Sequence, residues 1–207
     1  MKTLFYFVFI VFLSFVGYYI QNIFITTDIV FEEYGQQMAY ERIVEILDSR
    51  KKHEWIFYSF TAIIRIIKIL IVSLIIYTIL LAFYSKVAFK KILETVILAE
   101  LIPLIAIFIK FIWFSFIQTD YSLKELELFY PLSAITLFDY NNLEIYYIQG
   151  LQLINIFELF YWFVLAYGIS RLVNTTLKDG MKVVLSSYVP ALFLWVVFVT
   201  FLTINMT

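Results

Sequence analysis

Apolar residues dominate this chain in five long runs, and polar positions are confined to the breaks between them. Spanning a hydrocarbon core takes about 20 apolar helical residues, and the runs predict spans over about 3–24, 66–84, 92–117, 150–172 and 183–203, the second within an apolar stretch from Trp55 to Tyr84 whose helix begins outside the hydrocarbon. The first run follows Lys2 in the manner of a signal peptide. It is long, no small-residue cleavage site follows it, and it reads as a retained helix. Between the first two runs, Asp28 to Glu54 is polar. There Ala39, Ile43, Ile46 and Leu47 recur at helical spacing while Glu41, Glu45, Asp48 and Lys52 fall on other faces, which predicts a short amphipathic helix at the membrane surface. In the second run, Arg65 and Lys68 stand three apart on one face. They read as heads that snorkel to the interface, with lipid-headgroup binding as the other option. The connection Gln118 to Gln149 is acidic, with turns at Tyr130-Pro131 and over residues 139–142 and an aromatic pair, Tyr146 and Tyr147, before the fourth helix.

Composition fits this pattern. The 207 residues are 63% hydrophobic with a mean hydropathy of +0.92, against the roughly 45–50% apolar share of soluble domains. The expected architecture is therefore all-α: a single membrane domain over 1–207, a bundle of five transmembrane helices with an amphipathic helix in the first loop. A net charge of −1 supplies no basic field for nucleic acid. With no cysteine, thiolate metal sites and cysteine nucleophiles are excluded. The single histidine, His53, has no second ligand near it in sequence, and no phosphate loop or nucleophile elbow is present. No cofactor, metal or catalytic residue is expected.

Short connections carry Lys86, Lys90, Lys91 and Arg171, Lys178, Lys182, whereas the acidic connection between them carries only Lys124. The positive-inside rule then puts the amino terminus in the cytoplasm and the carboxyl terminus outside. Arg42, Arg50, Lys51 and Lys52 in the first loop run against that rule.

Candidate chemistry lies inside the spans, where an ionisable side chain costs roughly 2.5–3.5 kcal/mol on insertion scales and turns inward to a partner. Three qualify: Glu100, Lys110 and Glu158. Lys110 stands ~15 Å above Glu100 on the same helix, and the reading pairs it with Glu158 on an antiparallel neighbour. Gln152, Asn155, Glu158 and Trp162, spaced by three, three and four, share one helical face. These residues form an intramembrane polar seam, read either as interhelical glue or as a proton or solute path. Pro103 and Pro190 remove backbone donors and are expected to kink helices three and five, either as packing kinks or as the broken helices of a transporter site. Catalysis by Glu100 or Glu158 would require a second polar group within about 3 Å of one of them.

The opening FKKILETVILAELIP at Phe89 has a second version, LKDGMKVVLSSYVP, at Leu177. The first, followed later by FELFYWFVLAYGISRLVNTTLKDGMKVVLSSYVP, resembles the Yip family of five-helix membrane proteins, in particular its bacterial members. The resemblance covers roughly Leu70 to Phe201 and rests on Phe89, Lys90 and Pro103 and on Trp162, Gly168 and Leu177. It implies five spans, a cytoplasmic amino terminus and no catalytic residues; in eukaryotes the family is tied to membrane traffic and small GTPases. The expected function is that of a non-enzymatic scaffold or accessory subunit in a bacterial inner membrane, whose partners are lipids and other integral membrane proteins. A small permease working through Glu100, Lys110 and Glu158 is the alternative.

Overall fold

The structure is a computed structural model that describes residues 2–84, 87–139 and 143–206. Ser85 and Lys86 of the basic turn, and residues 140–142 of the expected acidic turn, lie outside the described residues. Helices form α1 (Lys2–Ile23), α2 (Thr27–Tyr34), α3 (Tyr40–Lys52), α4 (Glu54–Phe83), α5 (Phe89–Ala99), α6 (Leu101–Ile112), α7 (Leu123–Leu128), α8 (Ile145–Leu153), α9 (Ile156–Val173) and α10 (Leu177–Met206). No strand occurs among the described residues; one isolated bridge joins Ser133 and Asn155. Five helical segments are long and apolar enough to cross a membrane: Leu4–Ile23, Glu54–Phe83, Phe89–Ile117, Ile156–Val173 and Leu177–Asn205. The protein is thus an all-α bundle with five candidate membrane spans.

The spans differ from expectation in four places, the fifth by beginning at Leu177 instead of 183. The second begins at Glu54, because α4 continues unbroken for 30 residues, about 45 Å at the rise of an α-helix. The third is interrupted at Glu100, which closes α5 and opens α6. This break lies three residues ahead of Pro103, which occupies the first turn of α6, where backbone N–H groups have no helical acceptor and proline is tolerated. The fourth span is shorter than 150–172: α8 stops at Leu153, and α9 starts afresh at Ile156 with the Asn155 side chain accepting from the Glu158 N–H at 2.8 Å. Helix α10, by contrast, runs through Pro190 without interruption.

Packing follows from small residues and from the apolar faces. Helices α5 and α9 occupy the middle, with α4 and α10 against them and α1 laid over α4, α5 and α6. The core contains Ile69, Val72, Ile76 and Leu80 of α4, Ile92, Val96, Ile97 and Ala99 of α5, Leu165, Ala166 and Ile169 of α9, and Val183 and Val184 of α10. Two glycines set the closest approaches. A Cβ on Gly168 would strike the Thr95 side chain, and one on Gly180 would strike the backbone carbonyl of Ala166. At the end of the bundle where α1 finishes, Phe24 packs on Phe111, Phe114 and Tyr121. The amphipathic helix expected in the first loop is α3, its Ile43 fully buried, with α2 as an additional short helix before it.

The chain after α7 folds back into the bundle. Leu132 takes a positive φ of 53°, its carbonyl accepts from the Ile156 N–H, and the Ala134 N–H donates to Ile154 at 2.8 Å. This short clasp covers the start of α9, whose 18 residues reach only ~27 Å. Within the clasp Ser133 and Asn155 are buried, while Leu132 and Ile154 turn outward.

Since the Ala166 carbonyl is part of a helix backbone and cannot swing aside, Gly180→Ala must separate α9 from α10. Overpacking of this kind costs about 1–3 kcal/mol, and thermal unfolding in detergent should register it, whereas Gly150→Ala, with open space around it, should not be penalised by a clash.

Candidate functional site

The break at Glu100 turns its carboxylate toward α4, at 1% exposure. There Lys68 Nζ lies 2.8 Å from Oε1 and Arg65 Nη1 lies 3.8 Å from Oε2. Arg65 and Lys68 are one helical turn apart and so can address one carboxylate together. Lys68 stands halfway along α4, which is why it reaches a mid-span partner instead of an interface. Its ammonium also sits 5.1 Å from the ring centroid of Tyr161, a cation–π distance.

Tyr161 connects this group to a second one. Its fully buried ring packs against Tyr188 of α10 at 5.2 Å. The Tyr188 hydroxyl donates to Glu158 Oε1 at 2.8 Å, and the Trp162 indole N–H donates to the same oxygen at 2.8 Å. Glu158 lies in the first turn of α9, where a carboxylate is favoured by the helix dipole. From α4 to α10 the order is therefore Arg65 and Lys68, Glu100, Tyr161, Tyr188, Glu158. Two cations face the Glu100 carboxylate, and the Glu158 carboxylate takes neutral donors. Tyr130, in the clasp over this centre, packs its ring on Phe157. Burial pushes its phenol up to about 12, and the Glu158 carboxylate adds to the shift.

Three buried atoms in the centre, Arg65 Nη1, Glu100 Oε1 and Tyr161 OH, make no hydrogen bond of acceptable geometry among the described residues. Lys68 thus meets Oε1 as a close charge without a well-directed N–H. Clustered unsatisfied polar atoms are uncommon in native interiors.

The expected Lys110–Glu158 pair is replaced by other partners. Lys110 donates to the Leu126 carbonyl in the last turn of α7, where a cation meets the negative end of a helix. Gln152 donates to the neighbouring Leu128 carbonyl at 2.9 Å. Lys110 and Gln152 therefore hold α7, whose other end is closed by a capping box between Ser122 and Glu125. The polar stripe on a single helix also changes character: Gln152 belongs to α8, Asn155 is the cap of α9, and only Glu158 and Trp162 face the centre. Arg65 and Lys68 carried a signal in their spacing, but reading them as snorkelling depended on a membrane span that begins near Ile66, with the first turns of the helix outside the hydrocarbon. Tyr161 and Tyr188 had no signal that separates them from other aromatic residues of an apolar run.

No group of three or more acidic, histidine or cysteine side chains is placed to hold a metal among the described residues. No family model, no curated protein and no solved structure matches the chain.

Leaving Lys68 and Arg65 beside a neutral amide, Glu100→Gln should destabilise the protein by about 1–2 kcal/mol, less than breaking a fully buried pair because the Lys68 side chain is 41% exposed. A double-mutant cycle with Lys68→Met, read by unfolding in mixed micelles, should give a coupling of about 1 kcal/mol or more. The cycle of Lys110→Met with Glu158→Gln should be additive within about 0.5 kcal/mol.

Proposed function

We propose that this chain is a non-enzymatic scaffold or accessory subunit of a larger complex in a bacterial inner membrane, a Yip-like protein with its amino terminus in the cytoplasm and its carboxyl terminus outside. The observation that carries this reading is the use made of two carboxylates, Glu100 in the middle of the third span and Glu158 in the first turn of the fourth. Glu100 is tied to α4 by Lys68 and Arg65, and Glu158 is tied to α10 by Tyr188. Both act as ties between helices, and a bundle so tied is a stiff platform. Each glutamate has a polar group within 3 Å, as an enzymatic reading would require, but these are an ammonium, an indole and a phenol engaged as partners, not a nucleophile beside its base. A cavity between α1, α3 and α4 and a small one beside α7 lie away from this centre. Laterally, α10 presents Phe193, Leu194, Trp195, Phe198 and Phe201 outward, a surface suited to lipid or to another membrane helix.

Chemical cross-linking in native membranes followed by native electrophoresis tests the reading. A discrete, stoichiometric assembly well above the 24.7 kDa of the chain is expected; a monomer that captures no partner contradicts it. Orientation is tested separately. Because the chain has no cysteine, Asn174→Cys gives a single label site, expected to be protected from an impermeant thiol reagent in intact cells.

A second reading, a small permease component, is favoured by one observation: the unsatisfied Arg65, Glu100 and Tyr161 atoms beneath a clasp of non-helical chain. Broken helices around polar groups are how transporters build mid-membrane sites. Liposome flux of protons or small polar solutes that disappears in Glu100→Gln would favour it over the scaffold.

A further inference from the structure

A cleft of about 350 Å³ opens where α1 ends, bounded by α3 and the first turn of α4. Its volume falls within the range of small-ligand sites, about 300–1,000 Å³. Its lining divides into two kinds. Ile23, Ile25 and Leu47 form an apolar wall, and Arg50, Lys51 and Glu54 supply charge.

These charges are arranged without neutralising one another. Arg50 and Glu54 are four apart in sequence, yet no ion pair among the described residues includes Arg50, Lys51 or Glu54. The chain turns at His53 between α3 and α4, which removes the helical register that would pair them. Arg50 is instead oriented by donating to Asn22 Oδ1 at 2.7 Å, and Asn22 is fixed by donating to the Tyr18 carbonyl at 2.9 Å. Glu54 is held at 3.1 Å by the Tyr58 hydroxyl. The cleft thus offers two cations, an acceptor and an apolar wall in one lining. It stands where an apolar span gives way to an amphipathic helix, the boundary at which headgroups lie.

We infer that this cleft binds the headgroup of a phosphatidylethanolamine, its phosphate at Arg50 and Lys51 and its primary ammonium at Glu54, with the glycerol and upper acyl chain along Ile23 and Leu47. Charge complementarity selects this occupant. A phosphate alone would satisfy the two cations and leave Glu54 facing an anion. A choline headgroup carries a cation with no N–H to donate to Glu54. Phosphoethanolamine provides both a phosphate and a hydrogen-bonding ammonium, and the lipid form also provides the apolar portion. The inference stands apart from the scaffold reading.

Native mass spectrometry of the full chain in mild detergent, with dioleoyl phosphatidylethanolamine, phosphatidylglycerol and phosphatidylcholine at equal concentration, tests it. The ethanolamine lipid should be retained about tenfold more than the choline lipid, the value of one charge-assisted hydrogen bond. Glu54→Gln should abolish that preference, and Arg50→Gln with Lys51→Gln should lower retention of all three lipids. Lys51→Gln alone, at an exposed position, keeps the test valid if the double variant folds poorly, and should lower retention in the same direction. Equal retention of the three lipids by the unaltered chain, or a preference that survives Glu54→Gln, would overturn the site. Displacement of the lipid by free O-phosphoethanolamine at equal concentration would overturn the lipid as its source.

Discussion

A carboxylate at 1% exposure in the third span is the constraint around which the bundle is arranged. An unpaired charge at that depth would be expelled or neutralised. Glu100 is retained because α4 brings Lys68 and Arg65 to it, and it can face α4 because the helix is interrupted at that residue. The break and the ion pair fall at the same residue.

Neighbouring helices are positioned through the same centre. Lys68 faces the Tyr161 ring, Tyr161 packs on Tyr188, and Tyr188 donates to Glu158, so α4, α9 and α10 are connected by polar and aromatic contacts as well as by the aliphatic core. Below that level the helices approach at Gly168 and Gly180, and above it the clasp from Leu132 to Ala134 covers the start of α9. Lys110 works at a separate place. By closing α7 it secures the cap over the end where α1 finishes, which explains a cation in that part of α6 without reference to the polar centre.

Five spans were legible because hydrophobic run length maps directly to membrane thickness. The amphipathic α3 was legible from its 3.6-residue periodicity, and its stripe residue Ile43 is buried. Helix ends were less legible. The start of α4 at Glu54 lies one residue from the apolar stretch that opens at Trp55, but the start of the fourth span moved to Ile156 because Asn155 caps a new helix instead of lying within an old one. Partner choice was the least legible. Spacing along a helix states which residues share a face, but which helix stands opposite depends on packing over the whole bundle. The Lys110–Glu158 pairing assumed such a neighbour. The pairing of Arg65 and Lys68 with Glu100 became visible once α4 was long enough to place Lys68 at its midpoint.

The account's central claim is that the Glu100 carboxylate meets Lys68 inside the bundle. Solid-state NMR of the protein in lipid bilayers, with ¹³C in glutamate and ¹⁵N in lysine side chains, measures that contact directly through the dipolar coupling between Cδ and Nζ, assigned by Lys68→Met. A coupling that vanishes in Lys68→Met and persists in Lys110→Met is the predicted result. A coupling that vanishes only in Lys110→Met, or none at all at Glu100, would contradict it.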